Sequence, residues 1–298
     1  MKAKSDNKNV AILFMILAAF LFTVMQLFIK LTPRIPVFEK LFFRNSIGLL
    51  ITFFLLKKNN VSVLGKKENR KLLVLRGCFG VGGGIAYFIS VTNLPMADAS
   101  IIYNLNPFFV TLFAVLCLKE KLKKPQIAAL LITFFGALLV IKPQFSADTI
   151  PALIGFVGSI FMGAAYTVLR QLKGKEHPST AVFYFCLFST LASIPFMFFN
   201  YKVPNRWEIL TLISIGFFSV AGQFALTYAY KNAPASEVSI FNYTSIIMSV
   251  IFGALVWHEF PDFLTLLGAF IIVGVAVTLY VSERVANKKL KGVNHISS

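Results

Sequence analysis

Across 298 residues, hydrophobic side chains make up 57% and charged ones only 14%, with a mean hydropathy of +0.76. Soluble proteins are about 45–50% apolar and about 25% charged, so a water-soluble globule is excluded, as is disorder, whose signature is low hydrophobicity with high charge. The formal net charge of +17 fits a nucleic-acid partner or loops facing an anionic cytoplasm, and the positions of the charges decide.

Apolar runs of about 20 residues, the length that spans a hydrocarbon core, occur at 10–31, 38–56, 72–92, 97–118, 125–142, 150–171, 179–200, 207–229, 236–257 and 262–282. They predict an all-α integral membrane protein of ten transmembrane helices. The first run follows Lys2, Lys4 and Lys8 as a secretory signal would, but it is 22 residues long. A signal core runs about 7–15, so the run reads as an uncleaved span. Cys78, Cys117 and Cys186 lie in apolar runs without neighbouring histidines, as packed small hydrophobes rather than disulfide or zinc ligands.

With the N-terminus in the cytoplasm, 21 Lys and Arg fall in inner segments and 6 in outer ones, leaving Arg44 and Arg76 inside spans. This asymmetry obeys the positive-inside rule. It explains the basic charge without nucleic acid and places both termini in the cytoplasm of a multi-pass cell-membrane protein.

The segment starting at Asn93 matches the one starting at Asn232 at a constant offset of 139, with seven of 28 positions identical. The informative identities are Asn93/Asn232, Pro95/Pro234, Ser100/Ser239 and Glu120/Glu259, and the acids Asp98 and Glu237 also align. Equivalent spans are five apart, so the two halves cross in opposite senses. The first copy ends in the basic KEKLKK and the second in HEFPD, as inner and outer loops should. Two inverted five-helix repeats, 10–142 and 150–282, lie between a cytoplasmic N-terminus at 1–9 and a basic cytoplasmic tail at 283–298. Inverted repeats of this kind build secondary transporters with a site at the repeat interface.

Four segments carry a resemblance: FEKLFFRNSIGLL, LRGCFGVGGGIAYF, LPMADASIIYNLNPFFVTLFAVLCLKEKL and HEFPDFLTLLGAFIIVGVAV. On them the chain resembles the EamA permeases of the drug/metabolite transporter superfamily. Its FExxFFR and LRG elements are most similar to the branch containing bacterial S-adenosylmethionine carriers. The resemblance implies ten helices, two EamA repeats and a cavity lined by spans 1, 3, 4, 6, 8 and 9.

Charges inside spans are costly, about 2.5–3.5 kcal/mol at a helix centre. Arg44 lies about 9 Å into span 2 and Arg76 about 6 Å into span 3. Either arginine snorkels to the headgroups, or it holds a carboxylate with its planar fork. Glu39, five residues before Arg44 and poorly placed for a direct salt bridge, then serves as an outer gate or proton site. Tyr103, Asn104 and Asn106 precede Pro107 in span 4, and Asn242 and Tyr243 occupy span 9. They either bond helix to helix or contact a buried metabolite. Gln26, Tyr87, Tyr166 and Gln223 are further candidates, with packing or interfacial roles as the alternative. Gly80 and Gly84 form a GxxxG within a glycine-rich face of span 3, which predicts close helix packing and a sliding surface.

Asp98 and Glu237 suit helix N-termini. His177, His258 and His295 fall in loops or the tail, HEFPD lacks a second metal-binding His, and no Walker motif occurs. No catalytic centre, metal or cofactor is expected. The sequence therefore reads as a secondary active permease moving a small polar metabolite, carboxylate-bearing or anionic, by alternating access. Proton or counter-substrate coupling would drive it, and the lipid bilayer is its other partner. The alternatives are an S-adenosylmethionine, nucleoside-like or amino-acid carrier, then cationic-drug efflux, then a non-transporting membrane protein.

Overall fold

A computed structural model describes residues 8–118, 124–141, 149–172, 174–232 and 239–296. Glu120, Pro234, Glu237 and the lysines 119, 121 and 123 lie outside the described residues. Among those described the chain is helical, with no strand.

The first helix, α1 (Lys8–Lys30), ends where Pro33 and Pro36 interrupt the chain, and Pro36 is the N-cap of α2 (Val37–Lys58). A short 3-10 turn leads into α3 (Arg70–Asn93), and Pro95 then opens α4 (Met96–Tyr103). The next helices are α5 (Asn106–Leu118), α6 (Lys124–Ile141) and α7 (Thr149–Leu172). His177 caps α8 (Pro178–Asn200) by accepting from the Ser179 backbone N–H, and α9 (Arg206–Asn232) follows. A 3-10 turn at Ser239–Tyr243 leads into α10 (Thr244–Trp257), and α11 (Phe263–Ile296) closes the described chain. Proline at a helix start costs nothing, because that N–H has no intrahelical partner.

Six helical stretches are long and apolar enough to cross a membrane: Asn9–Lys30, Lys67–Asn93, Met96–Cys117, Thr149–Leu172, Pro178–Asn200 and Arg206–Ala229. Three shorter apolar ones are Ile127–Ile141, Phe241–Trp257 and Phe263–Thr278. The 22-residue α2 carries Glu39, Lys40, Arg44, Lys57 and Lys58. Phe198, Phe199 and Phe270 are more than three-quarters exposed, which water would not tolerate and lipid does. The tail extends α11 well past the apolar run, because its Ala, Lys and Leu residues are good helix formers.

The helices pack in a regular set of pairs. α1 lies along α9 and α3 along α7; α2 contacts α8 and α9, and α3 contacts α8; α5 and α4 contact α7, and α1 contacts α10. α4 also meets α10, and α6 meets α11. Exchanging each helix for its counterpart in the other half turns α1–α9 into α7–α3, α2–α9 into α8–α3 and α1–α10 into α7–α4/α5. The pairs α2–α8, α4–α10 and α6–α11 convert into themselves. The main apolar core includes Phe88 and Val91 of α3, Ile101 and Ile102 of α4 and Phe109 of α5, with residues from α1, α2, α6, α7, α9, α10 and α11 joining it.

Candidate functional site

Two helices break at corresponding positions. α4 stops at Tyr103 and α5 begins at Asn106; 139 residues on, the 3-10 turn gives way to α10 between Tyr243 and Thr244. The first break has a covalent cause, since Pro107 lacks an N–H and its ring would clash with the carbonyl of residue 103 in a continuous helix. The Asn106 side chain replaces the missing donor, its amide donating to the Tyr103 carbonyl at 2.8 Å. The Asn104 amide donates to the Ser100 carbonyl at 2.8 Å, beside the Asn104 backbone N–H at 3.0 Å. At the second break the Thr244 and Ser245 hydroxyls donate to the carbonyls of Phe241 and Asn242, each at 2.7 Å.

Beside these breaks two arginines meet a group of rings. Arg44 on α2 donates from Nε to the Ser219 hydroxyl of α9 at 2.8 Å, and its guanidinium carbon lies 5.6 Å from the Phe88 ring and 5.4 Å from the Phe185 ring. Arg76 on α3 packs on the same Phe185 ring at 5.1 Å and on Tyr166 at 5.8 Å. The rings of Tyr87 and Tyr103 are 4.4 Å apart. Arg76 is only 5% exposed, and its Nε and Nη1 are buried without a hydrogen-bond partner. Among the described residues neither arginine forms an ion pair with a carboxylate. Buried guanidinium donors left unmade are expensive, and cation–π contact offsets only part of that cost. Arg44, Tyr87, Tyr103 and Tyr166 are half-buried, so they keep surface on which a ligand can dock. The cluster is cationic and aromatic, with guanidinium donors left unpaired in it.

Of the residues selected from sequence, Arg44, Arg76, Tyr87, Tyr103 and Tyr166 thus come together. Asn104 and Asn242 form a polar seam next to them: Asn242 donates to Asn104 Oδ1 at 3.1 Å, and Asn104 donates to the Ser245 hydroxyl at 3.1 Å. Asn106 is turned to its local carbonyl, Tyr243 packs against the main core, and Gln223 is half-buried on α9. Gln26 is engaged at both ends, donating to the Met96 carbonyl at 2.9 Å and accepting from Ser249 at 3.2 Å. Glu39 sits apart, 1% exposed, with one oxygen accepting the Lys202 backbone N–H at 3.2 Å and the other without a partner.

The cluster draws on α2 and α8, which correspond to the second and seventh predicted spans. One expectation needs revision. The close approach of α3 and α7 runs through Gly83 and Gly158 rather than the GxxxG pair: a Cβ on Gly158 would sit 2.6 Å from Ala86 Cβ, and one on Gly83 3.2 Å from the Gly158 carbonyl oxygen. Gly80 instead makes room for the Arg76 guanidinium, and Gly84 has no neighbour nearer than 3.9 Å.

Ser219 and Phe185 are not singled out by the sequence, which holds 33 phenylalanines and gives no sign of which one packs against both arginines. Lys40, counted from sequence as an outer-loop charge, is fully buried and donates to the Ile29 carbonyl at 2.9 Å and to Thr92 at 3.4 Å. There its charge meets the C-terminal ends of α1 and α3, where a cation is favoured.

Comparison with known proteins gives a consistent picture. The model of the EamA-like transporter family matches twice, over residues 9–142 and 149–281. The pseudopaline exporter CntI of Pseudomonas aeruginosa (strain UCBPP-PA14) is 34% identical over 92% of this chain and 97% of its own. An uncharacterized transporter of Helicobacter pylori is 27% identical over 86% of this chain and 90% of its own. Human solute carrier family 35 member G1 is 25% identical over 91% of this chain and 79% of its own. A solved crystal structure that is 20% identical superimposes with a TM-score of 0.67 over 94% of this chain and 99% of that one. That likeness concerns the fold alone.

Proposed function

The chain belongs to the EamA-like transporter family and is a membrane transporter rather than an enzyme, and we propose that it is a secondary active carrier of a small metabolite bearing carboxylate groups. The observation that carries this reading is the buried Arg76 guanidinium, two of whose nitrogens find no hydrogen-bond partner among the described residues. Arg44 packs on the same Phe185 ring, and among the described residues no acid pairs with either arginine. The two guanidinium charges disfavour a cationic substrate group beside them, and among the described residues the cluster offers no carboxylate to offset them.

The symmetry of the packing supports alternating access. The exchangeable helix pairs support two inverted repeats, residues 10–142 and 150–282, of five spans each. The matched breaks at Asn104 and Tyr243 lie where such carriers place their binding sites. With the inner loops as the basic ones, the ends of α1 and α3 and the start of α4 face outward in the cytoplasmic membrane. Lys30 pairs with Glu259 on that side. The likeness to a pseudopaline exporter over 92% of the chain supports outward movement of a cell-made product.

Purified protein should show thermal stabilisation in a panel of metabolite acids, amino acids, nucleosides and amines, and the stabilising compounds should be acids. Liposomes containing the protein should transport the stabilising acid, and Arg76→Gln should slow that transport by tenfold or more while retaining the fold. Wild-type rates in Arg76→Gln would remove the site.

A further inference from the structure

We infer that Glu39 is a proton-binding site, filled while the turn between α8 and α9 covers it and emptied when that turn lifts away. This site is independent of the substrate that the arginine cluster carries.

Glu39 stands in the first turn of α2 and is 1% exposed. One carboxyl oxygen accepts the Lys202 backbone N–H at 3.2 Å, and the other is buried with no hydrogen-bond partner. Three other glutamates show what an ionised carboxylate receives in this protein. Glu208, 7% exposed, holds Arg34 through both oxygens and accepts the Asn205 N–H at 2.8 Å. Glu259 pairs with Lys30 through one oxygen and accepts the Met96 N–H through the other. Glu176 accepts from the Lys66 N–H at 2.8 Å and from the Asn69 amide at 2.9 Å. Glu39 is the most buried of the four and receives the least.

Among the described residues no cation makes up the difference. Lys40 follows Glu39 directly, but its ammonium turns to the Ile29 carbonyl and to Thr92, at the ends of α1 and α3. Arg34, in the turn before α2, is paired with Glu208, and these two opposite charges act on Glu39 together. Lys30 of α1 is engaged by Glu259. Lys202 and Arg206 are exposed. Residues 193–200 of α8 and 88–93 of α3 carry no titratable side chain.

The N-terminus of α2 favours an acid by about 0.3–1 kcal/mol, less than the several kcal/mol that burying an uncompensated ion costs. A carboxyl in this position is neutralised by taking up a proton. Water reaching it would restore the ionised form, and a single N–H bond from the α8–α9 turn lies across it. The covered arrangement therefore binds a proton that the uncovered one lacks, so acid favours the covered form and alkali the uncovered one. In the orientation proposed above, the outer proton becomes a ligand of the carrier.

The test is infrared spectroscopy and thermal melting of the detergent-purified protein across pH. At neutral pH the wild type should show the carbonyl band of a protonated carboxyl, and Glu39→Gln should lack it. As the pH rises, the wild-type band and melting temperature should fall together, while Glu39→Gln, a neutral isostere, should not show that fall. Glu39→Asp serves if the Gln protein does not fold: heavy-carbon labelling of glutamate should shift the band in the wild type and leave it in place in the Asp protein. A wild type without the band, a band that survives in Glu39→Gln, or one that shifts with the label in both proteins would overturn the proton site. Wild-type pH dependence of melting in Glu39→Gln would overturn its link to the covering turn. None of these outcomes touches the anionic reading, which Arg76→Gln tests.

Discussion

Lys30, in the last turn of α1, forms an ion pair with Glu259, the second residue after α10, and the other oxygen of that carboxylate accepts the Met96 backbone N–H at 3.1 Å. Lys30 also donates to the Leu94 carbonyl at 2.9 Å and lies 5.1 Å from the Trp257 ring. One acid thus ties together the ends of α1, α4 and α10. It is aimed by the backbone: His258 adopts a left-handed conformation (φ 55°), and the Glu259 N–H closes back on the Gly253 carbonyl at 3.1 Å. At the same end Arg34 pairs with Glu208. That contact, chiefly the hydrogen bond, raises the Arg34 pKa above its ordinary value, so the guanidinium stays charged at any physiological pH.

Removing this latch should loosen one side of the protein. Glu259→Gln leaves Lys30 half-buried without its counter-charge and weakens the hold on α4. The pair is partly exposed, so the expected cost is about 1–3 kcal/mol, below that of a fully buried pair. It reads out as a lower melting temperature together with faster labelling of cysteines placed in the outer half of α4.

Gly80 and Gly84 should respond differently to the same methyl group. A Cβ on Gly80 would come within 2.5 Å of both Arg76 Nη1 and the Phe185 ring. Gly80→Ala should therefore displace the guanidinium and cut transport by about tenfold with little loss of fold, while Gly84→Ala should transport normally. Rates and melting temperatures of the two proteins decide it.

At the α3–α7 crossing the penalty is structural. Gly158→Leu or Gly83→Leu forces apart two backbones in contact, and overpacking of this kind costs about 1–3 kcal/mol. Both variants should lose stability and transport together, and normal transport in either would count against a close-packed α3–α7 surface.

The Asn104 seam separates packing from binding. Asn104→Ala deletes bonds to Ser245 and Asn242 and should destabilise the fold by about 1–2 kcal/mol. Arg76→Gln should spare stability and remove ligand binding. Melting curves with and without the stabilising acid distinguish the two patterns.

Orientation is open to direct labelling. Lys66 and Lys202 are exposed and lie near opposite ends of α2. In a background with Cys78 and Cys117 replaced, Lys202→Cys should react with an impermeant maleimide added to whole cells, and Lys66→Cys should react only after lysis.

The in-span arginines were legible from sequence because a charge in an apolar run is conspicuous whatever its surroundings. Pro107 was legible because a proline breaks a helix through its own covalent structure. Glu259 was visible only as a repeated motif, with no account of why an acid should stand at a helix C-terminus. Its partners, Lys30 and the Met96 N–H, are 229 and 163 residues away in the chain. Nothing in the sequence distinguishes Lys40, near the start of a span, from a loop lysine, and only packing shows it buried against the ends of α1 and α3.

Composition, run lengths and charge asymmetry were enough to define a multi-span membrane chain that matches itself halfway along. Tertiary structure decided which faces meet. A helix in lipid is apolar on its outer surface as well as its inner one, so hydrophobic periodicity carries no record of which side is inside. Ser219, Phe185 and the glycine that shelters Arg76 acquire their roles only when α2, α3, α8 and α9 are brought together.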